Sequence, residues 1–196
     1  MSTHVLKIDL RTFWHPGGGR GHGLVLDAVA HRDSGGLPVL PGRHIKGLLR
    51  DALERAELWG WTGYDGLASV LFGDRTEEIE RTGGTPRPGC LRVGDGRLPT
   101  RIAHSLSADK SLCKGLFRPL HATAVEPTTG TAKDKSLRGI EVVIPLQIEA
   151  MISPVPGQVP PADWPQQLSG VLPLIHAVGA HRTRGLGRAV LRMEKE

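Results

Sequence analysis

The chain has 196 residues, 39% of them hydrophobic and 4% aromatic, and its 26 glycines and 15 prolines make up about a fifth of it. That length supports one domain with a real core, and that glycine and proline content predicts long loops without reaching the range of disordered chains. The net charge of +5 and the isoelectric point of about 9.6 favour a polyanionic partner, while two cysteines without Cys-x-x-Cys spacing argue against a disulfide framework or a zinc site. No secretory leader pattern and no apolar run near the ~18 residues of a membrane span occur, so a cytoplasmic protein with no membrane partner is expected.

Val5-Leu-Lys-Ile-Asp-Leu10 alternates, with Leu6, Ile8 and Leu10 on one face, and predicts a half-buried strand. Pro16-Gly-Gly-Gly-Arg-Gly-His-Gly23 predicts a turn, and Leu24 to His31 a second, irregular extended segment. Pro41-Gly42 then opens a helix, because Ile45, Leu48, Leu49, Ala52, Leu53 and Ala56 recur at helical spacing. Lys46 and Arg50 lie four residues apart on its polar side, and the free N–H groups of its first turn offer an anion site. Trp59 and Trp61 follow this helix and are expected to pack its end, with base stacking as the alternative.

Gly89 to Gly94 predicts a short strand. Residues 97–140 are polar, basic and poorly periodic, with Lys133 and Lys135 among their cations. A segment of that length is functional, mobile or an extended hairpin; as a hairpin it would carry Leu116 and Phe117 as an apolar tip. Ile140 to Ile152 is the strongest strand signal, and Pro145 within it marks an edge, a bulge or a break. Gln166 to Val178 reads as a helix, with Pro173 inside it, and Arg188 to Met193 as the last strand. Two strand–helix–strand passages on one sheet predict an α+β chain of ferredoxin-like (RRM-like) form. Two helices would cover one face of an antiparallel sheet, with a long thumb-like insertion.

The segment between the last helix and strand is the richest in chemistry. Gly179, Gly185 and Gly187 permit positive φ or close approach to a ligand, and His181, Arg182, Arg184 and Arg188 stand among them. Arginine forks between glycines suit a nucleic-acid backbone held closely. The loop is no nucleotide fingerprint: it runs from helix to strand, and no phosphate-loop lysine motif occurs. Asp27 is a candidate acidic site flanked by His22 and His31, and His44 is a candidate nucleolytic base. An ordinary turn-capping aspartate and solvated or RNA-contacting histidines are the plainer readings.

Three stretches together resemble the RAMP superfamily of CRISPR-associated proteins. They are Leu37-Pro-Val-Leu-Pro-Gly-Arg-His-Ile-Lys-Gly-Leu-Leu-Arg50, Glu126-Pro-Thr-Thr-Gly-Thr-Ala-Lys-Asp-Lys-Ser-Leu137 and Gly179-Ala-His-Arg-Thr-Arg-Gly-Leu-Gly-Arg188. Within that superfamily the likeness is to the guide-binding backbone subunit of type III effector complexes. The resemblance implies one RAMP domain over residues 1–196 with its insertion at about 97–140. It implies guide RNA, complementary target RNA, copies of itself or related RAMP subunits, and other effector subunits as partners. Asp27-Ala-Val-Ala-His-Arg-Asp33 is similar to the superfamily's target-cutting loop, which makes Asp27 the cutting residue and the ligand of Mg²⁺ or another divalent cation; Ala28 and Val29 replace the usual Ser and Pro. A purely structural backbone subunit and a precursor-processing endonuclease using His44 or His22 are the alternatives within the family. An anion-binding metabolic domain is the alternative outside it.

Overall fold

The computed structural model describes residues 3–17, 27–75, 80, 83–134 and 136–196. Strand β1 (His4–Leu10) buries alternate residues, with Leu6, Ile8 and Leu10 inward. Helix α1 (Gly42–Leu58) follows, and every residue of the apolar stripe read from the sequence is buried. Each Leu or Ile so buried contributes roughly 1.5–3 kcal/mol, so packing outweighs the β-branched and glycine residues in the helix. A short helix, α2 (Leu67–Phe72), packs on α1 and leads to strand β2 (Leu91–Val93).

After the insertion come β5 (Gln147–Pro154), helix α5 (Trp164–Val171) and β6 (Ala189–Lys195). The sheet order is β2-β5-β1-β6, with every pair antiparallel. Ile8 on β1 faces Ile148 on one neighbour and Leu191 on the other, so the three strands share one buried face. Helices α1 and α5 contact each other over the sheet. This order, with α1 and α2 in the first crossover and α5 in the second, fits the expected ferredoxin-like arrangement. No helix among the described residues is long and apolar enough to cross a membrane.

The basic region at 97–140, for which an extended hairpin was one of the expected forms, does contain one. It holds helices α3 (Thr100–Ser107) and α4 (Lys110–Gly115), then a hairpin of β3 (Phe117–Ala122) and β4 (Arg138–Val143). The hairpin continues beyond its ladder through a Val125–Ala132 bridge to a turn closed by Glu126 N–H to the Thr131 carbonyl. Leu116 and Phe117 are not at this tip: both are buried at the hairpin base, where they join the core. The single long strand read at 140–152 is two strands of different sheets, β4 and β5, divided at Ile144–Leu146. Pro145 is the cause, because it has no N–H to continue either ladder. Helix α5 starts at Trp164 and ends at Val171, and Pro173 lies in the single 3₁₀ turn that follows (Leu172–Leu174).

Candidate nucleic-acid interface

The glycine loop is held at both ends by backbone bonds. Val178 N–H donates to the Gly187 carbonyl at 2.8 Å, and Ala177 bridges Arg188, so the loop closes on itself. Gly187 N–H donates to the Phe13 carbonyl at 2.7 Å and Ala180 N–H to that of His15 at 2.8 Å, so it is also sewn to the segment after β1. Two glycines are obligatory here. Gly179 has φ +85°, and a Cβ on it would stand 2.7 Å from the His15 carbonyl oxygen. Gly187 has φ +72°, and a Cβ on it would collide with the Val178 carbonyl oxygen. Between them one 3₁₀ turn (Arg182–Arg184) is closed by Arg184 N–H to the His181 carbonyl.

His181 enters this turn with φ +58°, the one non-glycine residue at positive φ among the described residues. Such backbone is uncommon outside glycine and persists only where the surroundings impose it. Its imidazole packs near His15, with ring centres 6.0 Å apart. Burial, and then the charges of His15 and Arg184, hold its pKa below the usual histidine value. Arg182, Arg184 and Arg188 are all exposed. None of them pairs with a carboxylate among the described residues, so their guanidinium groups remain for an external anion.

His44 joins the loop to α1. Its Nε2 accepts from Gly179 N–H at 2.9 Å, which puts the ring proton on Nδ1. Burial, and then the Arg182 charge, depress its pKa, so the ring is neutral at pH 7. The lone pair a nucleolytic base would use is therefore already engaged. Because the folded-state pKa is lowered, this bond contributes stability that is full above pH ~6.5 and is lost as pH falls through the depressed value. Thermal denaturation between pH 7.5 and 5.5 is expected to show a falling midpoint. His44→Gln, which keeps an acceptor but does not titrate, is expected to reduce that fall. The carboxyls of Asp74, Asp95 and Asp109 are also depressed, but they act at lower pH and leave this window to the histidines.

A basic track leaves the loop along α1. A cleft of about 360 Å³ lies between Gly17, Arg43, His44, Gly179 and Ala180. A second, of about 470 Å³, is lined by Arg43, Lys46, Arg50 and Arg75, with the carboxylate of Asp74 also in its wall. Arg43 is exposed and borders both, so it links them. It stands one residue before His44 in the first turn of α1, and nothing in the local sequence sets it apart from the other cations of that helix. Partial burial, and then Arg50, lower the pKa of Lys46. Arg50 donates to the Gly73 carbonyl and pairs with Glu54 at 3.5 Å, so it braces α1 against α2 at the rim of the track.

The expected anion site at the start of α1 is filled from within. Gly42 N–H donates to Asp95 Oδ1 at 2.9 Å, and the N–H groups of His44 and Ile45 both reach the Pro41 carbonyl. The Gly42 bond, with help from Arg97, keeps the Asp95 carboxyl below the ordinary range and therefore ionised. A carboxylate in that position excludes a phosphate.

Asp27 stands on the hairpin rather than on the track. Its N–H donates to the Gly139 carbonyl at 2.8 Å, and its Oδ2 accepts from Gly139 N–H at 2.9 Å. Ala28 bridges Ile140 in parallel, Glu141 N–H donates to the Ala28 carbonyl, and Ala30 N–H reaches Glu141 Oε2 at 3.1 Å. Residues 27–30 thus add an edge segment to β4. Asp27 is exposed, and its Oδ1 has no bond among the described residues. His31 is also exposed; its N–H donates to the Pro16 carbonyl, and its own carbonyl accepts from Val39 N–H. Lys133 is exposed towards the hairpin turn, its N–H bonded to the Ala124 carbonyl. Lys135 and His22 lie outside the described residues.

The segment Phe13–His15 ties the two regions together. Trp14 exchanges backbone bonds with Val143 on β4, and His15 Nδ1 lies 2.6 Å from the Glu141 carbonyl. The same segment carries the Ala180 and Gly187 bonds of the glycine loop. The glycine loop and β4, which carries the Asp27 edge, are therefore both bonded to one short stretch of chain, and the start of α1 joins the loop through the His44–Gly179 bond. Trp59 and Trp61 lie at the far end of α1. They cover the helix end only in part: their rings lie 6.2 Å apart and Trp61 meets Tyr64 edge-on at 5.8 Å, yet Trp59 is 55% exposed and Trp61 37%.

A family model described as the RAMP superfamily matches residues 7–190. No curated protein matches the chain. Among solved structures, a chain of the type III-B Cmr-beta complex bound to cognate target RNA superposes with a TM-score of 0.71 at 10% identity, covering 98% of this chain and 97% of that one. A chain of the same complex in its apo state gives a TM-score of 0.66 at 10% identity, with the same coverage.

Proposed function

The chain belongs to the RAMP superfamily, and from that premise we propose that it is an RNA-binding subunit of a type III CRISPR effector complex. Its partners are guide RNA, complementary target RNA, further RAMP subunits and the other subunits of the complex. The observation that carries this reading is the exposed Arg182 and Arg184, without carboxylate partners among the described residues, on a turn fixed between two obligatory glycines, the first of which lines one cleft with Arg43 and His44 at the start of α1. Such an array grips phosphates without reading bases, so sequence selection falls to pairing with the guide. Support for the assembly comes from the fold shared with a complex that is bound to target RNA.

Asp27 is the candidate for target cutting. Its exposed carboxylate has Oδ2 on the Gly139 N–H, while Oδ1 has no protein bond among the described residues, which suits one-point attachment of a divalent cation. No cluster of three ligating side chains occurs among the described residues, so RNA phosphates and water would complete the shell. When bound, Mg²⁺ or a similar ion supplies charge stabilisation at the phosphate under attack. Asp27 itself holds its carboxylate at the β4 edge, and the Gly139 clamp fixes its direction.

A non-cutting structural subunit is the second reading, favoured by that same clamp, which gives Asp27 a purely structural use. Paired measurements on one variant separate the two. Asp27→Asn keeps an acceptor for Gly139 N–H and removes the charge. It is expected to lower cleavage of complementary RNA by the assembled complex roughly 10²–10³-fold, with guide binding unchanged. Cleavage at the wild-type rate in Asp27→Asn would assign Asp27 to structure alone.

A further inference from the structure

A cleft of about 890 Å³ lies outside the track just described. It opens at the base of the β3–β4 hairpin, between the Arg32–Gly36 loop, α4 and the hairpin face. That volume is within the ~300–1,000 Å³ of small-molecule sites. We infer that this cleft is a single-nucleotide site.

Its chemistry has two halves. Lys110 and Lys114 are exposed one turn apart on α4 and both line the cleft, which suits a phosphate group. The other half is partly apolar and is built on Arg32, Phe117 and Pro119. The Arg32 guanidinium lies 3.8 Å over the Phe117 ring and is held by Glu141 at 2.6 Å. Arg32 keeps 38% of its side chain exposed, so the guanidinium face turned away from Phe117 is the one a base would meet. Base stacking on an arginine plane is a common way of holding an unpaired nucleotide. Pro119, paired with Glu141 across the hairpin, extends this half. Glu141, the one carboxylate among the described residues that line the cleft, is neutralised by Arg32, so it does not oppose the lysine charges.

The nucleotide is either one extruded from an RNA strand or a free one. The first source rests on the RNA reading above; the site itself does not. The test titrates the whole protein with 2-aminopurine riboside 5′-monophosphate, and with a single-stranded RNA carrying one 2-aminopurine, following fluorescence. Lys110→Ala/Lys114→Ala is expected to weaken the mononucleotide by about tenfold or more, and Arg32→Lys, which keeps the charge and loses the plane, by about fivefold. Inorganic phosphate is expected to displace the probe only weakly. Affinity within about twofold of wild type in both variants, or phosphate displacing the probe at equal affinity, would overturn the inference. A signal from the RNA-borne probe that Lys110→Ala/Lys114→Ala abolishes identifies RNA as the source, and loss confined to the mononucleotide identifies free nucleotide. Replacing Arg182, Arg184 and Arg188 is expected to remove RNA and spare the mononucleotide. If it leaves RNA bound, the RNA reading fails while the nucleotide site stands.

Discussion

Replacing Arg182, Arg184 and Arg188 together by alanine is expected to lower affinity for single-stranded RNA by about two orders of magnitude at low salt. Each phosphate neutralised on a single strand contributes roughly 0.7 to the slope of log affinity against log salt. Three lost contacts therefore flatten that slope by about 2. The direction follows from exposure: the three side chains form no ion pair among the described residues, so removing them leaves no protein carboxylate unpaired. Stability should change little. Filter binding at several salt concentrations, with thermal denaturation in parallel, measures both. A variant with the wild-type slope would show that phosphates bind elsewhere.

Gly187→Ala is expected to be the most destabilising single change in the loop. Its Cβ would collide with the Val178 carbonyl oxygen, and Val178 is fully buried, so neither partner has room to withdraw. Overpacking and left-handed backbone together cost about 3–5 kcal/mol, which lowers the melting midpoint by roughly 10 °C in a chain of this size. Gly185→Ala is the control. It has φ +81° and open space around its Cβ, so it carries the backbone strain alone, about 1–2 kcal/mol. Differential scanning calorimetry of the two variants decides the point; equal midpoints would mean that the Gly187 contact gives way without strain.

The parts of the fold with long periodic patterns were legible in the sequence. The α1 stripe from Ile45 to Ala56 and the alternation from Leu6 to Leu10 each have one period and one face, and both elements form as read. The insertion was less legible because its elements are short. The three apolar positions Ile102, Ala103 and Leu106 of α3 are too few to set a period, and α4 has only six residues. A local signal was present there: Asp109 caps α4, its side chain accepting from Ser111 N–H at 2.8 Å. Pro145 reads as a break from sequence alone, but which sheets the two halves join depends on partners distant in the chain.

The candidate site divides in the same way. The glycines and arginines of the loop were visible because composition marks them. The bond from Gly179 N–H to His44 was not, since 135 residues separate its ends. Asp95 at the start of α1 was hidden for the same reason: it lies 53 residues from Gly42. Arg50 shows the converse limit. A cation at the right helical spacing reads as a phosphate contact until the Gly73 carbonyl and Glu54 are seen around it.

Ultraviolet crosslinking of bound single-stranded RNA to the wild-type protein, with the modified peptides identified by mass spectrometry, tests most directly whether RNA lies along the glycine loop and the first turns of α1. Crosslinks within residues 177–188 and 43–50 are the predicted result. Crosslinks confined to the exposed Trp59–Trp61 end of α1, with none in those two stretches, would contradict that placement.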